Sequence, residues 1–512
     1  MQSLQPDIHG TRDYAGGDAV ALARAREAIE ATLKRYAYGA IDPPILESSL
    51  PFLNRSGENI RRHMYIFPDP GSGREICLRP ELTIPVCRAY LRQMAGKEGI
   101  ARLSYFGPAF TYEPAAAGGY RQSYQAGAEF IGAAWREAAD AEILAAALDA
   151  LDATGLVDTA IETGDVDVRN AFIDQLPISE RSKTRIRRTA LRSEPDSRAL
   201  AADSALKAAE AGEQNGFGEL AALLAAVEPA KAERLIREVF ELADVRHVGG
   251  RTAEEIIERL ASRRAQQEEP ISAELTRGVV ELLNIRGTPE TAFAAIGEHF
   301  RKFGIAGIEP VLERCGQRLR YVEAYRRRPP AVVFNVGLRR DLEYYTGFLF
   351  EIYAAGRTHV GHVCGGGRYD NLLEGLGANA AIPAVGFGIR LDRLLPALQA
   401  VGAHGSGEPS PPRALVAGAD PNRHRDCIGA AVALREAGWS VELDGGLRDE
   451  AAALNEAARR RIPYLVFVAP QMDSGEVRVR RLRDRADQSV PLSALAAYAR
   501  AESGKRWPDK AS

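Results

Sequence analysis

The segments GIARLSYFGPA (Gly99–Ala109) and AGAEFIG (Ala126–Gly132) decide how this chain is read. Each alternates apolar residues with small or polar ones, the two-residue period of a strand with one buried face. Between them lies Pro114–Gly119, a turn rich in Ala and Gly. Two such runs around such a turn predict an antiparallel hairpin with a flexible loop. Helical patterns flank the hairpin. Ala19–Lys34 sets Leu22, Ala25, Ile29 and Leu33 at helical spacing, and Arg136–Ala153 predicts a second helix. Ile41–Leu46 is extended but broken by Pro43 and Pro44. Proline cannot donate to a ladder, so this segment is expected at a sheet edge or an interface.

Further along, from about Gly164 to Arg327, Ala, Glu and Arg recur at helical spacing with few strand signals, which predicts a helical insertion. Strand character returns at Ala331–Val336 and Gly347–Ala354, followed by the glycine block Gly365–Gly367 and a helix at Leu391–Leu398. Gly402–Pro412 (GAHGSGEPSPP) has the composition of a linker. The tail then alternates: strand at Ala414–Ala417, helix at His424–Ala437, strand at Ser440–Leu443, helix at Asp449–Arg461, strand at Tyr464–Val468. That order implies a small parallel or mixed sheet. The expected division is 1–163 and 329–402 as two parts of one core, 164–328 as the insertion and 413–501 as a separate α/β domain.

A chain of 512 residues is too long for a single core. Its 46% hydrophobic and 26% charged residues are ordinary for a globular protein, and a net charge of −3 argues against a dedicated nucleic-acid binder. No apolar run reaches the roughly 18 residues of a membrane span, and Met1–Asp13 has no signal-peptide core. Cys77, Cys87, Cys315, Cys364 and Cys427 form no CxxC pair, and His9, His63 and His247 make no cluster. We therefore expect no metal, no cofactor and a reducing cytoplasmic setting.

Six segments, in order, carry a resemblance: LRPELTIPV (Leu78–Val86), YFGPAF (Tyr105–Phe110), YRQSYQAGAEFIG (Tyr120–Gly132), RRDLEYYTGFLFE (Arg339–Glu351), GGGRYDNLL (Gly365–Leu373) and PAVGFGIRLDRLL (Pro383–Leu395). Glycine runs and RYD triplets are common singly. Together and in register these segments resemble the histidyl-tRNA synthetase family. The resemblance implies an α+β fold: a class II aminoacyl-tRNA synthetase-like antiparallel sheet with flanking helices, a helical insertion, and a C-terminal α/β anticodon-binding-like domain.

It also implies a histidine pocket. The matching positions are Glu81, Thr83, Gln125, Glu129, Arg340, Tyr344 and Tyr345. Glu81 and Glu129 would take the ammonium and an imidazole N–H, Gln125 the carboxylate or carbonyl. Arg340 would neutralise the carboxylate, the two tyrosines would supply flat walls, and Gly365–Gly367 would allow close backbone approach. Each has a plain structural alternative: solvated glutamates, a surface Arg340–Glu343 pair, core tyrosines, an ordinary glycine turn. The nucleotide side departs from the family. Thr111 and Gly119 stand where arginines are usual, Arg390 stands where a small residue adjoins the adenine, and Leu82 replaces a glycine; Arg121 and Arg393 are kept. Activation brings a carboxylate onto an anionic phosphate, and a threonine hydroxyl supplies no positive charge there.

Losses on one side and retention on the other resemble a branch of the family, the regulatory subunit of ATP phosphoribosyltransferase. That branch implies no catalytic activity of its own, L-histidine as feedback effector, and a short-form ATP phosphoribosyltransferase catalytic subunit as partner, with a homodimer inside a hetero-oligomer. Val248–Leu260, Leu282–Glu290 and Tyr344–Glu351 resemble the branch too. The tail does not, because most regulatory subunits end earlier. It keeps a histidine–tRNA ligase open, with tRNA as a partner of uncertain standing. Arg459–Arg461 and Arg478–Arg485 are either a basic stripe for RNA or a solvated, salt-bridged face, and the latter is favoured.

Overall fold

The computed structural model describes residues 8–55, 61, 63–93, 100–112, 120–192, 271–326, 331–339, 344–355, 361–402, 412–444, 448–470 and 475–503. Pro114–Gly119, Arg340, Glu343, His247, Val248–Leu260 and most of the linker lie outside these. The chain divides into two units, 1–405 and 406–512.

Numbered along the chain, the first unit has β1 (Gly39–Ala40), β2 (Leu46–Ser48), β3 (Ile66–Pro68), β4 (Glu75–Leu78), β5 (Ala101–Phe110), β6 (Gln122–Ile131), β7 (Thr159–Asp165), β8 (Arg286–Gly287), β9 (Val332–Asn335), β10 (Phe348–Ala354), β11 (Cys364–Arg368) and β12 (Ala384–Arg390). Nine of them form one mixed sheet in the order β1-β5-β6-β12-β11-β10-β7-β9-β8, while β2, β4 and β3 make a small separate sheet. The centre is antiparallel; only β1–β5 and β7–β9 run parallel. The hairpin is β5–β6, in unbroken register from Ala101↔Ile131 to Phe110↔Gln122.

Alternation along the central strands separates two faces. Ala126, Ala128 and Phe130 of β6, with Val385, Phe387 and Ile389 of β12, join the rear core under the helices Gly17–Arg35 and Arg136–Thr154. Leu103, Tyr105, Ile131 and Ala384 join a front core under the helix Thr83–Gln93. The site lies on the front face.

Two expectations need correction, and one of the structural alternatives falls away. Ile41–Leu46 is not one strand: β1 ends at Ala40, β2 begins at Leu46, and the carbonyls of Pro43 and Pro44 accept from the buried guanidinium of Arg79 instead. The stretch after Gly164 is helical at Val166–Asp174, Glu180–Arg192, Ala273–Leu283, Pro289–Lys302 and Glu309–Tyr325, but Arg286–Gly287 returns to the sheet as an edge strand. Gly365–Gly367 is not a turn but the middle of β11, between β10 and β12. Glycine is poor strand material, and steric demand explains it here. A Cβ on Gly366 would meet the Gly386 carbonyl, and one on Gly367 the Phe348 carbonyl.

The second unit holds β13 (Arg413–Gly418), β14 (Ser440–Leu443), β15 (Tyr464–Val468), β16 (Glu476–Arg481) and β17 (Ala486–Pro491), in the order β14-β13-β15-β16-β17. The first three are parallel, as the strand–helix alternation implies; β16 and β17 are antiparallel additions. They hid behind arginines. In β16 only Val477 and Val479 turn inward, while Arg478 and Arg480 pair with Glu450 and Asp487, and Arg481 with Asp484 and Glu502. This is the salt-bridged alternative for the stripe. Among the described residues no helix is long and apolar enough to cross a membrane.

Candidate functional site

The register of the sheet builds the floor of the site. One row across the front face runs Tyr105, Gly127, Gly388, Gly365, Glu351; the next runs Leu103, Glu129, Gly386, Gly367, Leu349. Five glycines on three adjacent strands add no side chains of their own to this face, and the Tyr105, Glu129 and Tyr345 side chains lie close over Gly127, Gly386 and Gly367. Gly386 has a specific reason to be glycine, since a Cβ there would overlap the Glu129 carboxylate.

Glu129 is fully buried. Its Oε2 accepts from the Tyr369 hydroxyl, and its Oε1 has no hydrogen-bond partner among the described residues. A buried carboxylate oxygen without a donor is costly and is a functional signal. Glu81 approaches from the loop before the helix Thr83–Gln93. Its carboxylate accepts the backbone N–H groups of Thr83 at 2.5 Å and Ile84 at 2.8 Å, in the manner of a helix cap. Both acids are pushed up by burial, Glu81 to about 7 and Glu129 to about 8. For Glu81 the two backbone N–H bonds and Arg79 offset part of the burial. For Glu129 the Tyr369 hydroxyl does so, while Glu81 adds repulsion. The one charged group that eases Glu81, Arg79, spends its own donors on the carbonyls of Pro43, Pro44 and Pro108. Two adjacent buried acids that lack a committed cation among the described residues make a receptor for one.

Aromatic rings wall the site. Tyr344 lies 4.8 Å from Tyr345 and 5.7 Å from Tyr369, centroid to centroid, and Tyr345 lies over Gly367. Tyr105 donates to the Phe387 carbonyl at 3.1 Å. The cluster therefore gathers Glu81, Thr83, Glu129, Tyr344 and Tyr345 in one place. Gln125 is half-buried on the same face, four residues along β6 from Glu129. Arg340 and Gly119 fall outside the described residues.

The nucleotide-side positions lie at the end of the same face. Arg390 shares a row with Gln125 and Gly107, and its guanidinium stands 3.2 Å from Asp392. Thr111 is half-buried, and its N–H donates to the Arg121 carbonyl at 3.0 Å. The Arg121 guanidinium sits 5.0 Å over the Tyr112 ring, and Arg393 donates to the His362 carbonyl at 3.1 Å. Thr111 thus brings no charge here, and Arg390 brings a long side chain tied to Asp392.

Tyr369 and Tyr105 escaped the sequence reading. Their signal was parity. Once Gly365–Gly367 is a strand, the front face takes Gly365, Gly367 and then Tyr369; likewise Tyr105 shares parity with Leu103 and Gly107.

Comparison with known proteins bears on this geometry. A family model described as Histidyl-tRNA synthetase matches residues 10–249 and 233–394, and one described as Anticodon binding domain matches 416–502. The chain is 28% identical over 472 residues to a Histidine–tRNA ligase of Methanocaldococcus jannaschii, covering 92% of this chain and 94% of that one. It is 29% identical over 490 residues to a Histidine–tRNA ligase of Methanococcus maripaludis, covering 93% and 97%. Among solved structures, histidyl-tRNA synthetase from Nostoc sp. PCC 7120 superposes with a TM-score of 0.65 at 16% identity, over 98% of this chain and all of that one. An ATP phosphoribosyltransferase regulatory subunit/histidyl-tRNA synthetase from Bacillus halodurans gives 0.64 at 19%, over 92% of this chain and all of that one. At these identities the superpositions speak for the fold: a class II aminoacyl-tRNA synthetase-like core, followed by an anticodon-binding domain.

Proposed function

This chain belongs to the histidyl-tRNA synthetase family, and from that premise we propose that it binds L-histidine without activating it, as the regulatory subunit of ATP phosphoribosyltransferase. The observation that carries the reading is the Oε1 of Glu129, unpartnered among the described residues and buried beside Glu81 over a glycine floor. That oxygen suits the ammonium of an amino acid. The other end of the ligand needs a planar ring with one or two N–H donors, which suits the space between Glu81, Thr83 and the Tyr344–Tyr345–Tyr369 wall. Gln125 would meet the carboxylate, with Arg340 the cationic partner that the family pattern implies.

The nucleotide side supports binding without chemistry. Adenylation builds charge on a phosphate, and removing one positioned charge of this kind typically costs on the order of 100-fold or more in rate. Thr111 and Gly119 forgo two such charges, and Arg390 puts a guanidinium where the purine would lie. A retained amino-acid pocket beside a degraded nucleotide site is what an effector sensor needs. Regulation follows by linkage: histidine shifts the complex only if it binds the inhibited state more tightly than the active one. The partner in this reading is a short-form phosphoribosyltransferase catalytic subunit, joined by a homodimer of this chain. The alternative is a divergent histidine–tRNA ligase. Its support is that full-length relatives carry that name and that residues 416–502 match an anticodon-binding model.

Histidine-dependent ATP–pyrophosphate exchange, with calorimetry on the same preparation, separates the two. Histidine binding without exchange is expected. Robust exchange would make the chain a ligase and end the regulatory reading; absence of histidine binding would end both.

A further inference from the structure

Behind the pocket lies a charge network that histidine recognition does not use. Asp140, in the helix Arg136–Thr154, is fully buried. Its Oδ1 accepts Nε of Arg368 at 2.8 Å and lies 2.6 Å from the same guanidinium's other arm. Its Oδ2 accepts Nε of Arg318 at 2.9 Å, from the helix Glu309–Tyr325. Arg318 also meets Asp165 at 3.1 Å. Arg368 is spent in full: it donates to Asp370 at 2.8 Å and to the Arg136 carbonyl at 3.0 Å. Asp370 in turn accepts the Ala384 N–H at 3.1 Å, and its own N–H donates to the Thr346 hydroxyl at 3.0 Å. Replacing buried ion pairs with apolar side chains is often neutral or stabilising, so stability alone does not account for such a network.

Its place in β11 supplies a reason. Strand register is normally fixed by side chains that sort to one face or the other. Gly365, Gly366 and Gly367 have none, which leaves Cys364 and Arg368, both on the rear face, as the side chains of β11 that sort. Arg368 is the last residue of the strand and points to the rear; Tyr369, one residue on, points to the front and reaches Glu129. Whatever holds Arg368 also sets the height and direction of the Tyr369 hydroxyl.

We propose that Asp140 and Arg368 are positioning residues of the pocket: by clamping the end of β11 from behind, they keep the Tyr369 hydroxyl on Glu129 and leave Oε1 as the one open oxygen for a ligand cation. The part about ligand affinity rests on the histidine reading above; the effect on Glu129 does not. Neither residue touches the ligand space. Arg318 extends the clamp to the helix that closes the insertion, so the insertion and the pocket share one set of ion pairs.

The test is a double-mutant cycle between Arg368→Lys and Tyr369→Phe, each single variant and the pair. Lysine keeps the charge and loses the fork. The first readout needs no ligand: the carboxyl 13C titration of Glu129, assigned by its loss in Glu129→Gln. The Tyr369 hydroxyl holds the Glu129 carboxyl down against burial, so removing it should raise the midpoint. The same rise is expected in Arg368→Lys, with no further rise in the pair. The second readout is L-histidine affinity by calorimetry, with roughly tenfold weakening in each single variant and no more in the pair, as for the loss of one hydrogen bond to a charged group. An unmoved Glu129 midpoint in Arg368→Lys, or additive effects in the pair, would overturn the proposal. If the parent binds no histidine, the histidine reading fails while the titration still decides the clamp. Should Arg368→Lys not fold, Asp370→Asn, at the more exposed end of the network, enters the same cycle under the same criteria.

Discussion

Replacing Glu129 by glutamine should make the empty protein more stable, by an amount that grows with pH. The carboxyl ionises at an ordinary 4.5 in the unfolded chain and at about 8 in its buried site. A raised folded value means that the carboxyl's contribution is whole below about pH 4.5 and is lost as pH rises toward 8. Each pH unit of that interval is worth about 1.4 kcal/mol. At pH 6 only the first 1.5 units count, a cost of about 2 kcal/mol; above pH 8 the whole interval counts, about 5 kcal/mol. The stability difference between Glu129→Gln and its parent should therefore widen by about 3 kcal/mol from pH 6 to pH 9. Glutamine's own fit, including its bond to Tyr369, is the same at both pH values and cancels. Denaturant-dependent hydrogen exchange of the β6 and β12 amides, at fixed protein concentration, reads the pocket unit by itself. A difference that stays constant or narrows between pH 6 and pH 9 would refute the buried-acid account. The same variant should lose histidine binding, so stability and function would pull in opposite directions at one atom.

Three further outcomes are expected. Because both acids must shed protons to receive a cation, L-histidine affinity should climb as pH rises through 7 to 8, by about tenfold per proton released per unit; calorimetry that finds a flat profile would contradict a carboxylate receptor. Gly386→Ala places a methyl on the Glu129 carboxylate, and should cost about 1–3 kcal/mol by thermal melting while lowering histidine affinity at least tenfold. If charge and space on the nucleotide side are what was lost, Thr111→Arg combined with Arg390→Gly should raise pyrophosphate exchange above the parent's; equal activity would point to a different defect.

Much of this fold was legible because it lies in alternation and order. Gly99–Ala109 and Ala126–Gly132 gave the hairpin, and the position of Glu129 one step from Ala128 and Phe130 placed it opposite the apolar face. The strand–helix rhythm after Pro412 gave the three parallel strands of the second unit. What was not legible depended on partners distant in sequence. Gly365–Gly367 has no side chain to show a period, so its strand character comes from the close approach of Gly386 and Phe348. For Arg478, Arg480 and Arg481 the salt-bridged face was the favoured reading, but its acids, Glu450, Asp484, Asp487 and Glu502, could be named only from the fold. Asp140 resembled an ordinary helix residue until Arg318 and Arg368, more than 170 positions away, closed on it.

The glycine strand also bears on how this protein reaches its native state. Slipped by one residue so that Arg368 takes the place of Gly367, β11 would set a Cβ against the Phe348 carbonyl. The slip would also carry the Arg368 guanidinium forward toward Glu81 and Glu129 and turn Tyr369 into the rear core. Such a state has an attraction of its own, an arginine between two acids, and it would seal the site from within. Asp140 adds to the penalty: in the slipped chain it would keep Arg318 on Oδ2 but leave Oδ1 buried without its donor. The native sheet is thus held against a near-copy of itself by the glycine-only places in β11 together with one carboxylate on a helix.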